Sequence, residues 1–86
     1  MSELKSSVFT VTDSTIEKHR GGNAKALMAL GGTLYAYYGD YSGTPAELQA
    51  DGIPIPDGKY LEHVETHTGI ISLISASGDI KVHEVV

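Results

Sequence analysis

The stretch Thr68-Gly69-Ile70-Ile71-Ser72-Leu73-Ile74-Ser75-Ala76-Ser77-Gly78-Asp79-Ile80-Lys81-Val82-His83-Glu84-Val85-Val86 decides the fold class. Two runs rich in β-branched residues flank the short polar group Ala76-Ser77-Gly78-Asp79. Branched side chains fit a pleated surface, and a glycine-containing polar link is turn chemistry. The pattern predicts a β-hairpin whose second strand runs to residue 86. Neither run carries evident chemistry. Both read as built to pair and pack, which points to a β scaffold that binds something before it points to an enzyme.

Working back from this stretch, residues 59–65 alternate as a strand with Leu61 opposite Tyr60 and Val64, after a turn at Asp57-Gly58. Ile53-Pro54-Ile55-Pro56 must be extended, because each proline turns its predecessor away from the α region and removes a ladder donor. Thr44-Pro45-Ala46-Glu47-Leu48 is a helix start. Thr44 suits the cap, Pro45 the first helical position, and Glu47 can reach back to the cap. The helix covers residues 45–50, ends at Asp51-Gly52, and offers Leu48 as its buried anchor. Thr33-Leu34-Tyr35-Ala36-Tyr37-Tyr38-Gly39 is a strand with Leu34, Ala36 and Tyr38 on one face and Tyr35 and Tyr37 on the other. Asp40-Tyr41-Ser42-Gly43 is a turn.

The first third is less patterned. Residues 8–12 alternate as a strand. Ser14 and Glu17 are spaced as a capping box for one helical turn. Residues 24–30 fit either a short helix capped by Asn23 or a half-buried strand with Ala24, Ala26 and Met28 on one face. Strand is the reading adopted, since double glycines on both sides suit tight reversals. The expectation is therefore an all-β, compact small sandwich or barrel of about six short strands with one short helix. Residues 1–7 form a flexible N-terminal arm and residues 8–86 a single β domain.

Composition narrows the function. The 86-residue chain contains no cysteine, so neither a disulfide nor a thiolate zinc site can supplement a thin core. Small domains of this kind gain stability by assembling with copies or partners. Net charge is −5, and residues 33–86 hold eight acids against two basic residues. An acidic body repels phosphate backbones, which argues against nucleic acid. The basic group Lys18-His19-Arg20 with Lys25 reads as a solvated turn, with anion contact the alternative. No apolar run has the ~20 residues that span a bilayer, and the N-terminus shows no secretory pattern, so synthesis and residence in a cytoplasm are expected.

No catalytic constellation stands out. His63 and His67 are four residues apart, but on a strand their Cα atoms lie about 13 Å apart and cannot share one ion. Gly-x-Ser-x-Gly and phosphate-loop patterns are absent. The expectation is no catalytic, cofactor or metal residue. Tyrosine is the notable residue type: it joins apolar area to a hydroxyl and is enriched at interface cores. Tyr35, Tyr37 and Tyr41 are candidate partner-binding residues, with ordinary packing and sugar stacking as competing readings. Lys81, His83 and Val85, on one face of the terminal strand, join them if that strand lies at a sheet edge and accepts a neighbouring chain.

The ordered set Gly32-Thr33-Leu34-Tyr35-Ala36-Tyr37-Tyr38-Gly39, Thr44-Pro45-Ala46-Glu47-Leu48, Gly52-Ile53-Pro54-Ile55-Pro56, Gly69-Ile70-Ile71-Ser72-Leu73-Ile74-Ser75 and Val82-His83-Glu84-Val85 resembles small accessory proteins of tailed bacteriophages, of the head-decoration or head-fibre type. The likeness covers roughly residues 30–86. It implies a structural subunit, made in the host cytoplasm and resident in the virion. Such a subunit would bind the major capsid protein or another virion protein as a homo-oligomer, with a trimer the expected form. It supplies no residue-level binding motif. An acidic inhibitor of a host nuclease or defence complex and a carbohydrate-binding module are the alternatives.

Overall fold

The computed structural model describes residues 7–20, 26–61 and 69–85. In these, eight strands and one helix follow in the order β1 (Ser7–Val11), β2 (Glu17–Arg20), β3 (Ala26–Leu30), β4 (Leu34–Tyr38), α1 (Pro45–Asp51), β5 (Ile53–Ile55), β6 (Tyr60–Leu61), β7 (Ile70–Ser75) and β8 (Ile80–Val85). They form two antiparallel four-stranded sheets, β1-β8-β3-β6 and β2-β7-β4-β5. The chain is an all-β sandwich with one short helix. Between them the sheets bury Val11, Leu27, Ala29, Leu34, Ala36, Ile55, Leu61, Ile71, Leu73, Ile80 and Val82, with Phe9 packed at the margin.

The terminal stretch is not a hairpin. β7 and β8 lie in different sheets, and residues 76–79 carry the chain across the sandwich. Gly78 takes the left-handed φ of +67° that this crossing needs. Its N–H donates to Asp13 Oδ2 at 2.8 Å. The reason is burial. β7 is covered on both faces from Ile71 to Ser75, so it must lie inside a sheet with a further layer outside it. β4 pairs on one side of it and β2 on the other.

Crossing is the rule in this chain. β1, β3, β6 and β8 alternate in sequence with strands of the other sheet, and only β4 and β5, joined through α1, are paired neighbours in chain order. The Asp57-Gly58 turn makes one crossing and is tied to β3: Asp57 Oδ1 accepts from Gly31 N at 2.9 Å, and Gly58 N donates to Ala29 O at 2.7 Å.

β8 is a central strand, flanked by β1 and β3. Its backbone groups are committed to those neighbours, so Lys81, His83 and Val85 do not form an edge that could accept another chain. The single helical turn expected at residues 14–17 is also absent. Thr12 Oγ1 accepts from the N–H groups of Ser14 and Thr15 at 3.4 and 3.2 Å, a side-chain turn that meets the local donors without a helix. Glu17 instead opens β2, and the expected basic turn is an edge strand. Charged side chains suit such an edge because they discourage pairing with other chains.

Two further expectations change in detail. β3 is a strand, but it buries Leu27 and Ala29 and leaves Ala26 and Met28 half-buried on the outside. β1 begins at Ser7, one residue inside the expected arm. His63 and His67 lie outside the described residues.

The helix is built as its sequence predicts. Glu47 N donates to Thr44 Oγ1 at 3.2 Å, Thr44 N donates to Glu47 Oε1 at 2.8 Å, and Pro45 occupies the first turn. α1 packs on β4 and β7 from outside the sandwich. Leu48 and Ile74 are fully buried there, and Gln49 Nε2 donates to Ser75 O at 2.7 Å. Gly52 ends the helix where backbones nearly touch: a Cβ would lie 2.8 Å from Leu48 O and 3.1 Å from Tyr35 Cβ.

Candidate functional site

The alternation of β4 turns Tyr35 and Tyr37 to the outside of the β2-β7-β4-β5 sheet, opposite Ile74 and Ser72 of β7. Their surroundings then diverge. Tyr35 stands opposite Pro54 of β5, close to the helix end at Gly52, and is half-buried. Tyr37, two residues on, is 42% exposed. The segment after β4 folds back so that Tyr41 meets it, ring centroids 5.1 Å apart and planes at 73°. This edge-to-face arrangement sets the positive ring edge against the negative ring face.

Tyr41 is held at both ends. Its hydroxyl donates to Asp51 Oδ2 at 2.9 Å, its N–H donates to Ser72 Oγ at 2.9 Å, and its carbonyl accepts from Lys18 Nζ at 2.6 Å. The bond to Asp51 stabilises the neutral phenol and pushes Tyr41 up to about 12, with desolvation and the nearby negative charges of Asp51 and Glu47 acting in the same direction. Burial also raises Tyr38.

Ser72 and Lys18 lie 3.3 Å apart, a spacing that invites comparison with a serine–lysine nucleophile pair. The surroundings argue for structure instead. Ser72 is fully buried and its hydroxyl donates to Gly39 O at 2.7 Å, so no proton is directed toward the lysine. Lys18 Nζ is paired with Asp40 Oδ1 at 2.6 Å. Together these groups clamp residues 39–41 onto the sheet and so fix the Tyr37–Tyr41 pair.

The other expected partner-binding residues lie elsewhere. Lys81 is on the outside of the β1-β8-β3-β6 sheet, its Nζ donating to Thr10 Oγ1 at 2.7 Å. His83 is on the same side, between Val8 and Met28. Val85 pairs with Ala26 in the β3–β8 ladder. Five of the six candidates therefore divide between two opposite outer surfaces: Tyr35, Tyr37 and Tyr41 on one, Lys81 and His83 on the other.

One polar contact escaped the sequence reading. His19 of β2 and Glu84 of β8 face each other between the sheets, with Nε2 and Oε2 3.2 Å apart and both side chains largely buried. The direction is not that of a hydrogen bond, so the contact is electrostatic and close without being aligned. Phe9 stacks on His19 with centroids 5.2 Å apart and planes at 8°. Glu84 shares the inward alternation of Ile80 and Val82, which was the available signal.

The chain matches no family model, no curated protein and no solved structure. Among the described residues, no three His, Asp or Glu side chains converge as a metal site would require. No helix among them is long and apolar enough to cross a membrane.

Proposed function

We infer that this chain is a non-enzymatic binding module, an accessory subunit of a tailed-phage particle that attaches to the capsid or another virion protein in many copies. The observation that carries the binding half of this reading is the Tyr37–Tyr41 pair. One ring is 42% exposed, and its neighbour is anchored through Asp51, Ser72 and Lys18. A ring already fixed in place surrenders little conformational freedom when a partner covers it, and aromatic anchors of this kind dominate interface energetics. Acidic groups surround the pair: Asp40, Glu47 and Asp51 are all exposed. An aromatic centre with a charged rim has the anatomy of a protein interface, and this rim favours a basic partner surface. The particle half of the reading comes from the motif order across residues 30–86.

Mass spectrometry of purified particles of the phage that encodes the chain tests this reading. The chain should be present in many copies, and Tyr37→Ala should lower its copy number while leaving the fold intact. Particles that never contain it, or salt-sensitive co-purification with a host nuclease or defence protein instead, overturn the reading.

A further inference from the structure

The outer face of the β1-β8-β3-β6 sheet carries exposed apolar side chains that the tyrosine pair does not explain. Register makes it a ladder. Val8 pairs with His83, His83 with Met28, and Met28 with Tyr60, so one row of side chains crosses all four strands. Thr10, Lys81 and Leu30 form the next row. Val8 and Tyr60, at the two ends of the first row, are each 53% exposed. The helix lies on the other sheet.

Charge is distributed unevenly. The chain has 11 acidic residues and a net charge of −5, yet neither row holds a carboxylate. Glu84, the one acid among the described residues of these four strands, points inward to His19. The single cation, Lys81, is tethered to Thr10 within the face. An acidic chain that meets its own copy must keep its acids off the contact, since like charges brought together cost several kcal/mol. Among the described residues, this face meets that condition.

We propose that this face is the contact between two copies of the chain. A two-fold axis parallel to the strands and passing between β8 and β3 exchanges the two ends of the first row. Tyr60 of each copy then lies over Val8 of the other, Met28 over His83, and Leu30 over the aliphatic stem of Lys81. Every pairing is between unlike groups, and the patch can meet itself as a two-fold contact requires. Sheets stack in this way about 10 Å apart. Strands β1, β8 and β3 with the two-residue β6, spaced ~4.8 Å apart and rising ~3.3 Å per residue over five residues, give a patch of at most roughly 19 Å by 17 Å. Two such patches cover at most roughly 650 Å², below the ~1,200–2,000 Å² of stable specific interfaces, so the contact is a weak one. The dimer presents the two tyrosine pairs outward on opposite sides, so only one of them can meet a given surface at a time.

Sedimentation equilibrium of the full chain from about 1 µM to about 1 mM tests the contact. The mass should rise with concentration from 9.1 kDa toward twice that value. Val8→Lys and Tyr60→Lys, both at exposed positions, should each weaken dimerisation at least about tenfold, and Tyr37→Ala on the opposite face should not change it. The chain has no cysteine, so paired labels can be introduced cleanly. A mixture of Val8→Cys and Tyr60→Cys chains should cross-link to the mixed dimer through a short bis-maleimide faster than either variant couples to itself; the ~10 Å between stacked sheets is too far for a direct disulfide. A chain that stays monomeric at 1 mM, a trimer, or a dimer indifferent to both lysine variants overturns the proposal. Because the dimer is measured without particles, its failure is distinct from failure of the particle reading.

Discussion

Tyr41 donates its phenolic hydrogen to Asp51 across the helix, 2.9 Å away, and this bond orients the ring against which Tyr37 rests. The folded chain therefore holds the Tyr41 proton more tightly than an unfolded one, releasing it near 12 rather than 10.0. A group whose folded value is raised contributes stability that is complete below its unfolded value and is lost as pH climbs through the folded one. Wild type should exceed Tyr41→Phe in stability below pH 10, and the gap should close between pH 10 and 12. Urea denaturation across that range checks the expectation; a gap that stays constant would contradict it.

Phe9 and His19 come from strands of different sheets, and their stacking closes one side of the core beside Glu84. Stacked aromatic pairs contribute about 0.5–1.5 kcal/mol beyond the area they bury. A double-mutant cycle with Phe9→Leu and His19→Leu should return a coupling in that range. Additive effects would show that the two rings are neighbours without being partners.

Gly52 stands where helix α1 and strand β4 approach most closely. An added methyl group would meet Leu48 O at 2.8 Å and Ala36 O at 3.2 Å, and neither is the end of a flexible side chain. Gly52→Ala should destabilise the fold by about 1–3 kcal/mol, the range for overpacking a fixed site. Alanine at an exposed glycine normally stabilises slightly, so the sign of the change in thermal midpoint decides the matter.

Local chemistry was legible wherever a short segment determines its own conformation. Thr44, Pro45 and Glu47 specify the helix start, Asp57-Gly58 a turn, and the alternation of Leu34 and Ala36 with Tyr35 and Tyr37 a two-sided strand. What the local pattern does not encode is which strands pair. Residues 70–75 and 80–85 read as a hairpin because their link looks like a turn, yet the same four residues serve equally well to cross a sandwich. Burial of Ser72 under residues 39–41 and of Ile74 under the helix, contacts between segments far apart in sequence, decides between the two. β2 was missed for another reason: Glu17-Lys18-His19-Arg20 has no apolar alternation, and its strand conformation comes from pairing with β7. Of the proposed binding surface, Tyr37 and Tyr41 were picked out by residue type. The Val8–His83–Met28–Tyr60 row was not, because its members come from four separate strands and meet only through register.

The account rests on Tyr37 and Tyr41 serving as a preformed anchor, and co-sedimentation with particles assembled without the chain measures this directly. Wild type added back should pellet with those particles, and Tyr37→Ala, folded to the same thermal midpoint, should bind at least about tenfold more weakly. Equal binding by the two proteins, or no binding by either, would contradict it.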